Sequence, residues 1–304
     1  MISAILHLAF AFAAAPAAIG LIGKTKATFA GRSGAPVTQP YSDLWRLLNK
    51  EVVRSTTTSL VSAFAPAAVL AAIACALLFV PFASQPAPLG FSGSVLAFSA
   101  LLGVARYLTL LAALDTGSSF PGMGASREAM FGALAEPAFL LVVGALCRTG
   151  GDFSWDAILD VQAFLSHGGS LAQLIGAASV LFLLLLAENS RVPVDDPATH
   201  LELTMIHEVM ILDAAGPDLA FYLYAAALKL FAFAALIVQL VVPMHDLPRV
   251  LAVLFLLVGI GVVAVLVGIV ESVMARLRLV RVPQFLVGIS VGAAIVAAIT
   301  FFGR

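Results

Sequence analysis

Residues 187 to 216 read A-E-N-S-R-V-P-V-D-D-P-A-T-H-L-E-L-T-M-I-H-E-V-M-I-L-D-A-A-G. Glu188, Asp195, Asp196, Glu202 and Glu208 share this stretch with Arg191, His200 and His207, and the run of leucines before it ends at Leu186. A dense set of titratable groups thus begins where a membrane helix stops. A simple connector between two spans does not need that chemistry. Pro193 and Pro197 hold residues 191–196 extended. Asp196-Pro197 suits an N-cap followed by proline in the first turn, and Thr199-x-x-Glu202 offers a capping box as an alternative start. The helix is predicted to run to about Asp213, before Gly216-Pro217 ends it. His200, Thr204, His207 and Ile211 share one of its faces, with Glu208 beside it and Glu202 turned away. No second histidine follows His207-Glu208 at the spacing of a zinc protease, and no nucleophile motif accompanies the acids. The readings left are a surface that docks a soluble partner, and a proton relay or redox-coupled switch at that partner.

The rest of the chain is oily. Of 304 residues, 62% are hydrophobic and 11% charged, against about 45–50% and about 25% in a globular domain. The apolar runs are long and do not alternate, which predicts an all-α integral membrane protein rather than a barrel. Eight segments are long enough to span: Ile2 to Ile22, Leu60 to Phe82, Phe91 to Leu114, Arg127 to Leu146, Leu171 to Ala187, Leu219 to Val242, Val250 to Val270 and Phe285 to Phe302. The fifth is short, with a start at Leu171 or nearer Phe164. Residues 1–304 read as a single polytopic domain, without internal repeat or soluble domain. Cys75 and Cys147 fall inside spans with no metal-like spacing, so a redox centre served by this chain belongs to another subunit.

Basic residues orient the bundle. Lys24 and Lys26 follow the first apolar run instead of preceding it, which predicts a retained span with an external N-terminus rather than a signal peptide. The inner loops then hold Lys24, Lys26, Arg32, Arg46, Lys50, Arg54, Arg191, Arg276, Arg278 and Arg281, while Arg148, Arg249 and Arg304 lie outside with Asp152, Asp156, Asp160 and Asp246. That asymmetry follows the positive-inside rule and places the acidic stretch in the cytoplasm.

The first inner loop, G-R-S-G-A-P-V-T-Q-P-Y-S-D-L-W-R-L-L-N-K-E from Gly31 to Glu51, is irregular up to Pro40 and then periodic. Leu44, Leu47, Leu48 and Val52 share a face, which predicts an amphipathic helix in the interface plane with Trp45 at headgroup level. Within the spans lie Arg106, Glu136 and Lys229, with Asp115 and Glu271 nearer to ends. A charge at the bilayer centre costs about 2.5–3.5 kcal/mol or more on insertion scales. Such residues face a bundle interior or a water path, or, for Arg106, snorkel to the interface. Glu136 and Lys229 are the candidates for a proton path, and Glu136-Pro137 predicts a local helix distortion.

Several separated segments resemble the complex I subunit 1 family. They are Ala187, Glu188, Arg191, Pro193 and Asp195 with Glu202 and Glu208 after them; Arg32, Gly34, Pro36, Gln39, Pro40, Asp43, Lys50 and Glu51; Ser126-Arg127-Glu128 leading to Ala135-Glu136; and Arg276 to Pro283. P-V-D-D-P-x-T-H-L-E-L-T-M-I-H-E and G-S-S-F-x-G-M-G-x-S-R-E resemble the membrane subunit of formate hydrogenlyase and related group 4 nickel–iron hydrogenases. Val194 stands where quinone-reactive members carry phenylalanine. The resemblance implies a non-redox subunit that anchors hydrogenase large and small subunits and an iron–sulfur subunit to the cytoplasmic membrane of a bacterium or archaeon. It would join them to antiporter-like membrane subunits. Nickel–iron and iron–sulfur centres would reside in those partners, none in this chain, and no nucleic acid is involved. For the site, the charges inside the spans and the titratable groups of the acidic stretch are read as coupling residues: Arg106, Glu136, Glu188, Glu202, His207, Glu208 and Lys229. Docking or loop structure falls to Arg32, Gln39, Asp43, Arg127, Arg191, Pro193, Asp195, Asp196 and His200, and the guanidinium fork of Arg191 is expected to pair with a carboxylate such as Asp195 or Glu202 and fix the loop. The alternatives are a quinone-site subunit of a complex I-type NADH:quinone oxidoreductase, and an independent secondary transporter.

Overall fold

A bilayer offers backbone N–H and C=O groups no partner, so each apolar run must satisfy them within its own helix. The computed structural model, which describes residues 2–196 and 205–302, shows this outcome. Its helices are α1 (Ile2–Phe29), α2 (Gln39–Leu48), α3 (Leu60–Leu77), α4 (Ser94–Asp115), α5 (Ser119–Gly150), α6 (Trp155–Leu159), α7 (Val161–Ser166), α8 (Leu171–Glu188), α9 (His207–Met210), α10 (Pro217–Val241), α11 (Arg249–Val273) and α12 (Val282–Phe302). Eight of them are long and apolar enough to cross a membrane, and they coincide with the eight expected spans. The chain is a multi-pass membrane protein.

The boundaries differ in instructive ways. α5 starts at Ser119 rather than Arg127, which puts Arg127 and Glu128 on a helix. α8 starts at Leu171, where Ser170 and Gln173 form a reciprocal capping box; Phe164 belongs to the separate α7. Pro137 does not interrupt α5, which stays one helix through it, because a proline removes only one ladder bond. α2 begins at Gln39 with proline in its first turn and ends at Leu48, leaving Val52 beyond it. Trp45 is 71% exposed, as an interfacial position requires.

The long helix expected up to Asp213 is not found. Among the described residues only His207–Met210 is helical there, and Ala214 closes a turn on Ile211 instead. Residues 191–195 are not extended as expected but form a turn, with the Val194 and Asp195 N–H groups donating to the Arg191 carbonyl, and from its end Asp195 Oδ2 accepts the N–H groups of Ile206 (2.9 Å) and His207 (3.2 Å), which fixes the start of α9. His200, Glu202 and the proposed caps at Pro197 and Thr199 lie outside the described residues.

α10 is the central post. Phe231, Phe233, Leu228 and Leu236 on it are fully buried, and α1, α3, α8 and α11 pack around it. α11 and α12 close the periphery and turn Val250, Leu254, Val258, Val291 and Ile295 outward, the apolar surface a bilayer covers. The connections at 30–38, 49–59, 189–196, 205–216 and 274–281 gather at one membrane face, and those at 78–93, 151–170 and 242–248 at the other.

Candidate functional site

Two charge centres lie at the face that carries the acidic stretch. The deeper one is built on α5 by residues spaced four apart: Gly124, Glu128, Gly132 and Glu136 fall on one stripe. The glycines make room. A Cβ on Gly132 would sit 2.6 Å from Arg106 Nη1, and one on Gly124 would sit 2.9 Å from the Ile206 carbonyl. The absence of both side chains lets the Arg106 guanidinium of α4 lie across α5 and lets α9 rest on it.

Arg106 pairs with Glu188 and faces Glu128 at 3.5 Å; Glu188 also takes Lys229 Nζ at 3.0 Å. The side chains of these four residues are 8–18% exposed. Arg106 therefore does not snorkel; it is turned inward as the hub of a four-residue cluster. Lys229 answers Glu188 rather than Glu136. Glu136 lies deeper, within Coulombic reach of Arg106, its Oε1 beside Gly103, and among the described residues nothing bonds it. Glu188 Oε2 and Arg106 Nε are buried without a hydrogen-bond partner of good geometry despite their ion pairs. Beside them is a cavity of about 60 Å³ lined by Arg106, Glu128, Glu188, Asn189, His207 and Lys229, polar and large enough for water.

The second centre ties down the acidic stretch. Glu271, with no side-chain exposure, receives Lys26 at 2.9 Å and Arg191 at 3.3 Å. Asp195 takes Arg276 at 3.0 Å besides its two α9 amides, and Leu277 N–H donates to the Pro193 carbonyl at 2.9 Å. The expected Arg191 pair with Asp195 is thus corrected. Asp195 is only four residues away, but it spends its oxygens on backbone amides and Arg276, and Arg191 crosses to α11. Arg127, expected to dock a partner, donates to the Met205 carbonyl at 2.8 Å. Asp43 is held by Gln39 (3.0 Å) and Arg46 (2.5 Å) within α2. Arg32 is exposed.

Between the centres lies a larger cavity of about 280 Å³, walled by Pro16, Ile19 and Leu44 on one side and by Arg191, Asp195, His207 and Glu208 on the other. His207 lines both cavities. Burial, and then the nearby Lys229 and Arg191 cations, push its imidazole down to about 4, so it is neutral at physiological pH. Burial also raises Asp195 above the ordinary carboxylate range, against the pull of its amide bonds and Arg276.

Sequence reasoning missed Glu128 and Glu271 as site residues. The four-residue stripe on α5 was a signal for the first. For Glu271 only its place near a span end spoke, and its two cations come from distant segments. Cys75 and Cys147 sit on different helices, one exposed and one buried. No group of three or more His, Cys, Asp or Glu side chains that could hold a metal ion forms among the described residues.

Comparison with known proteins follows the same line. The chain is 26% identical over 283 residues to formate hydrogenlyase subunit 4 of Escherichia coli, covering 90% of each. It is 26% identical over 228 residues to hydrogenase-4 component C of the same organism, covering 75% of this chain and 71% of that one. A chain in the structure of the membrane-bound sulfane sulfur reductase, an archaeal respiratory membrane complex, shares the fold with a TM-score of 0.83 at 21% identity, over 98% of both chains. The model of the NADH dehydrogenase family matches residues 2–302. The inward-turned charges and the clamped acidic stretch therefore sit in a chain that belongs to the NADH dehydrogenase subunit 1 family.

Proposed function

We propose that this chain is the membrane-anchoring, ion-translocation-coupling subunit of a multisubunit complex of the group 4 hydrogenase type. The observation that carries this is Glu188. It stands at the junction of span and acidic stretch, and it bridges Arg106 and Lys229 beside a cavity that His207 shares with the cytoplasmic side. Two cations, Arg106 and Lys229, face three carboxylates, Glu128, Glu136 and Glu188. The set is neutral when it holds one proton. A move of His207, Glu208 or the 191–196 segment at a redox partner changes the field on that proton and drives it toward or away from Glu136. The chain's residues hold and move a proton; they carry no electrons.

The partners in this reading are hydrogenase large and small subunits and an iron–sulfur subunit at the acidic face, and antiporter-like subunits in the membrane. Nickel–iron and iron–sulfur centres belong to the soluble partners. The N-terminus is external, so a cysteine at Ser166 reacts with an impermeant thiol reagent added to whole cells, and one at Ser33 does not. Reaction at Ser33 would overturn the orientation. The names and cover of the E. coli relatives support the hydrogenase reading.

A second reading is favoured by one feature. The 280 Å³ cavity has an apolar wall and a polar wall, close to the lower end of the roughly 300–1,000 Å³ range of small-ligand sites, so a quinone head is a candidate occupant. Affinity purification of the tagged chain decides between them. Nickel, iron and hydrogen evolution in the eluate are expected. A quinone-reducing assembly without nickel selects the second reading, and a chain that purifies alone overturns both.

A further inference from the structure

At the membrane face opposite the acidic stretch, a cavity of about 220 Å³ opens between the α3–α4 connection, the α6–α7 corner and the end of α10. Asp156, Asp160, Ser84 and Gln239 line it, with His245 at an exposed edge. Gln239 is only 3% exposed. Its Nε2 donates to the Pro81 carbonyl at 2.9 Å and to the Ala235 carbonyl at 3.1 Å. Two carbonyls around one end of an amide fix its orientation. Oε1 is therefore the acceptor end, and among the described residues no group donates to it.

The carboxylates are placed in a similar way. Asp156 Oδ1 accepts the Ala87 N–H at 3.0 Å, and Asp160 Oδ1 accepts the Ala163 N–H at 3.1 Å. Each is anchored by one oxygen and retains the other. Burial raises Asp156 above the ordinary carboxylate range, a cost that a cation beside it would offset. No lysine or arginine is among the lining residues. The only cationic group the wall can offer is His245; its neutral donors are the Ser84 hydroxyl and the Gln85 amide, which already donates to the Ser84 carbonyl. With only two carboxylates and an amide oxygen, the set lacks the histidines and thiolates of a transition-metal site. Oxygen ligands in a loose, partly hydrated arrangement are what a hard cation takes.

We propose that this cavity binds a hard divalent cation of the calcium class through Asp156, Asp160 and Gln239 Oε1. The cation ties the α6–α7 corner to the end of α10 and to the connection that carries Pro81. The site lies on the face away from the coupling cluster and is independent of the reading given above.

Terbium luminescence tests it on the purified complex in calcium-free buffer. The two tryptophans of the chain are Trp45, at the other face, and Trp155, fully buried and adjacent to Asp156. Excitation of Trp155 is expected to sensitise bound Tb³⁺, with displacement by Ca²⁺ in the range of about 10⁻⁴–10⁻³ M. Asp156→Asn and Gln239→Leu are each expected to weaken binding by about tenfold or more, since site affinity follows ligand charge and count. Trp155→Phe is expected to remove the emission while Ca²⁺ binding by calorimetry persists. Because Gln239 also bonds Pro81, Gln239→Glu serves as the second variant: it keeps an acceptor, adds charge and is expected to tighten binding. Absence of sensitised emission from the wild-type complex would overturn the proposal. So would emission unchanged in Asp156→Asn and Gln239→Leu, or affinity unchanged or lowered in Gln239→Glu.

Discussion

The two charge centres are made from similar parts and do different things. Around Glu271 and Asp195 every carboxylate is matched by a cation or backbone amides from another segment, so the charges act as a latch. Around Glu188 the match is incomplete: Glu136 adds a carboxylate that no described residue bonds, and a polar cavity adjoins the cluster, whereas a buried oxygen outside hydrogen-bond geometry occurs in both centres, Glu188 Oε2 in one and Glu271 Oε2 in the other. A saturated set of buried charges resists change, because removing any member strands its partner. An unsaturated set beside water can take up or release a proton at small cost. What separates a latch from a relay here is the number of acceptors left over.

That contrast is open to attack from its strong side first. Glu271→Ala leaves Lys26 and Arg191 facing each other without their shared carboxylate, and loss of one partner of a buried pair costs about 3–5 kcal/mol. The expected outcome is a matching fall in the thermal stability of the purified complex, with loss of the soluble arm. A variant as stable as wild type would show that the centre is not a latch.

Glu188→Gln preserves shape at the other centre but removes its titration. Assembly is expected to survive while redox-coupled ion movement falls on the order of 10²-fold, the scale of a lost acid–base group. If instead the complex falls apart with coupling per assembled complex unchanged, the two centres are the same kind of device.

Glu136→Gln is expected to have a smaller effect, about tenfold on coupling with binding of partners unchanged, since a deeper residue takes part in only one transfer. Proton uptake and turnover measured on one sample separate the two quantities. Wild-type coupling in this variant would reduce Glu136 to a structural group.

The smallest effect concerns His207. Its native value of about 4 lies below the ordinary 6.5, so as pH falls the undocked segment takes up a proton before the docked one does. The docked state therefore loses stability as pH drops from 6.5 toward 4, and this group contributes no pH dependence above that window. His207→Gln is expected to move the acid limb of soluble-arm retention down by about one pH unit. An unshifted limb would assign it to other groups, Asp195 among them.

The sequence by itself determined a great deal. Eight spans, an interfacial helix carrying Trp45 and an acidic stretch beginning at Glu188 are all properties of local composition and period. A membrane enforces them with little help from packing, because an apolar run in lipid has almost no alternative to helix. The resemblance on Ala187 to Asp195 and on Arg276 to Pro283 reached the right family for a similar reason: the wording of a loop is local. Partner choice was another matter. Arg191 with Glu271, Asp195 with Arg276, and Glu188 with Arg106 join residues 80 to 82 apart in sequence, and Glu188 with Lys229 residues 41 apart. Electrostatic pairing is decided by which side chains packing brings within a few ångströms, and no periodicity encodes that. Only the tertiary structure turned Arg106 inward over Gly132, set Asp195 on the amides that start α9 and ended that helix at Met210.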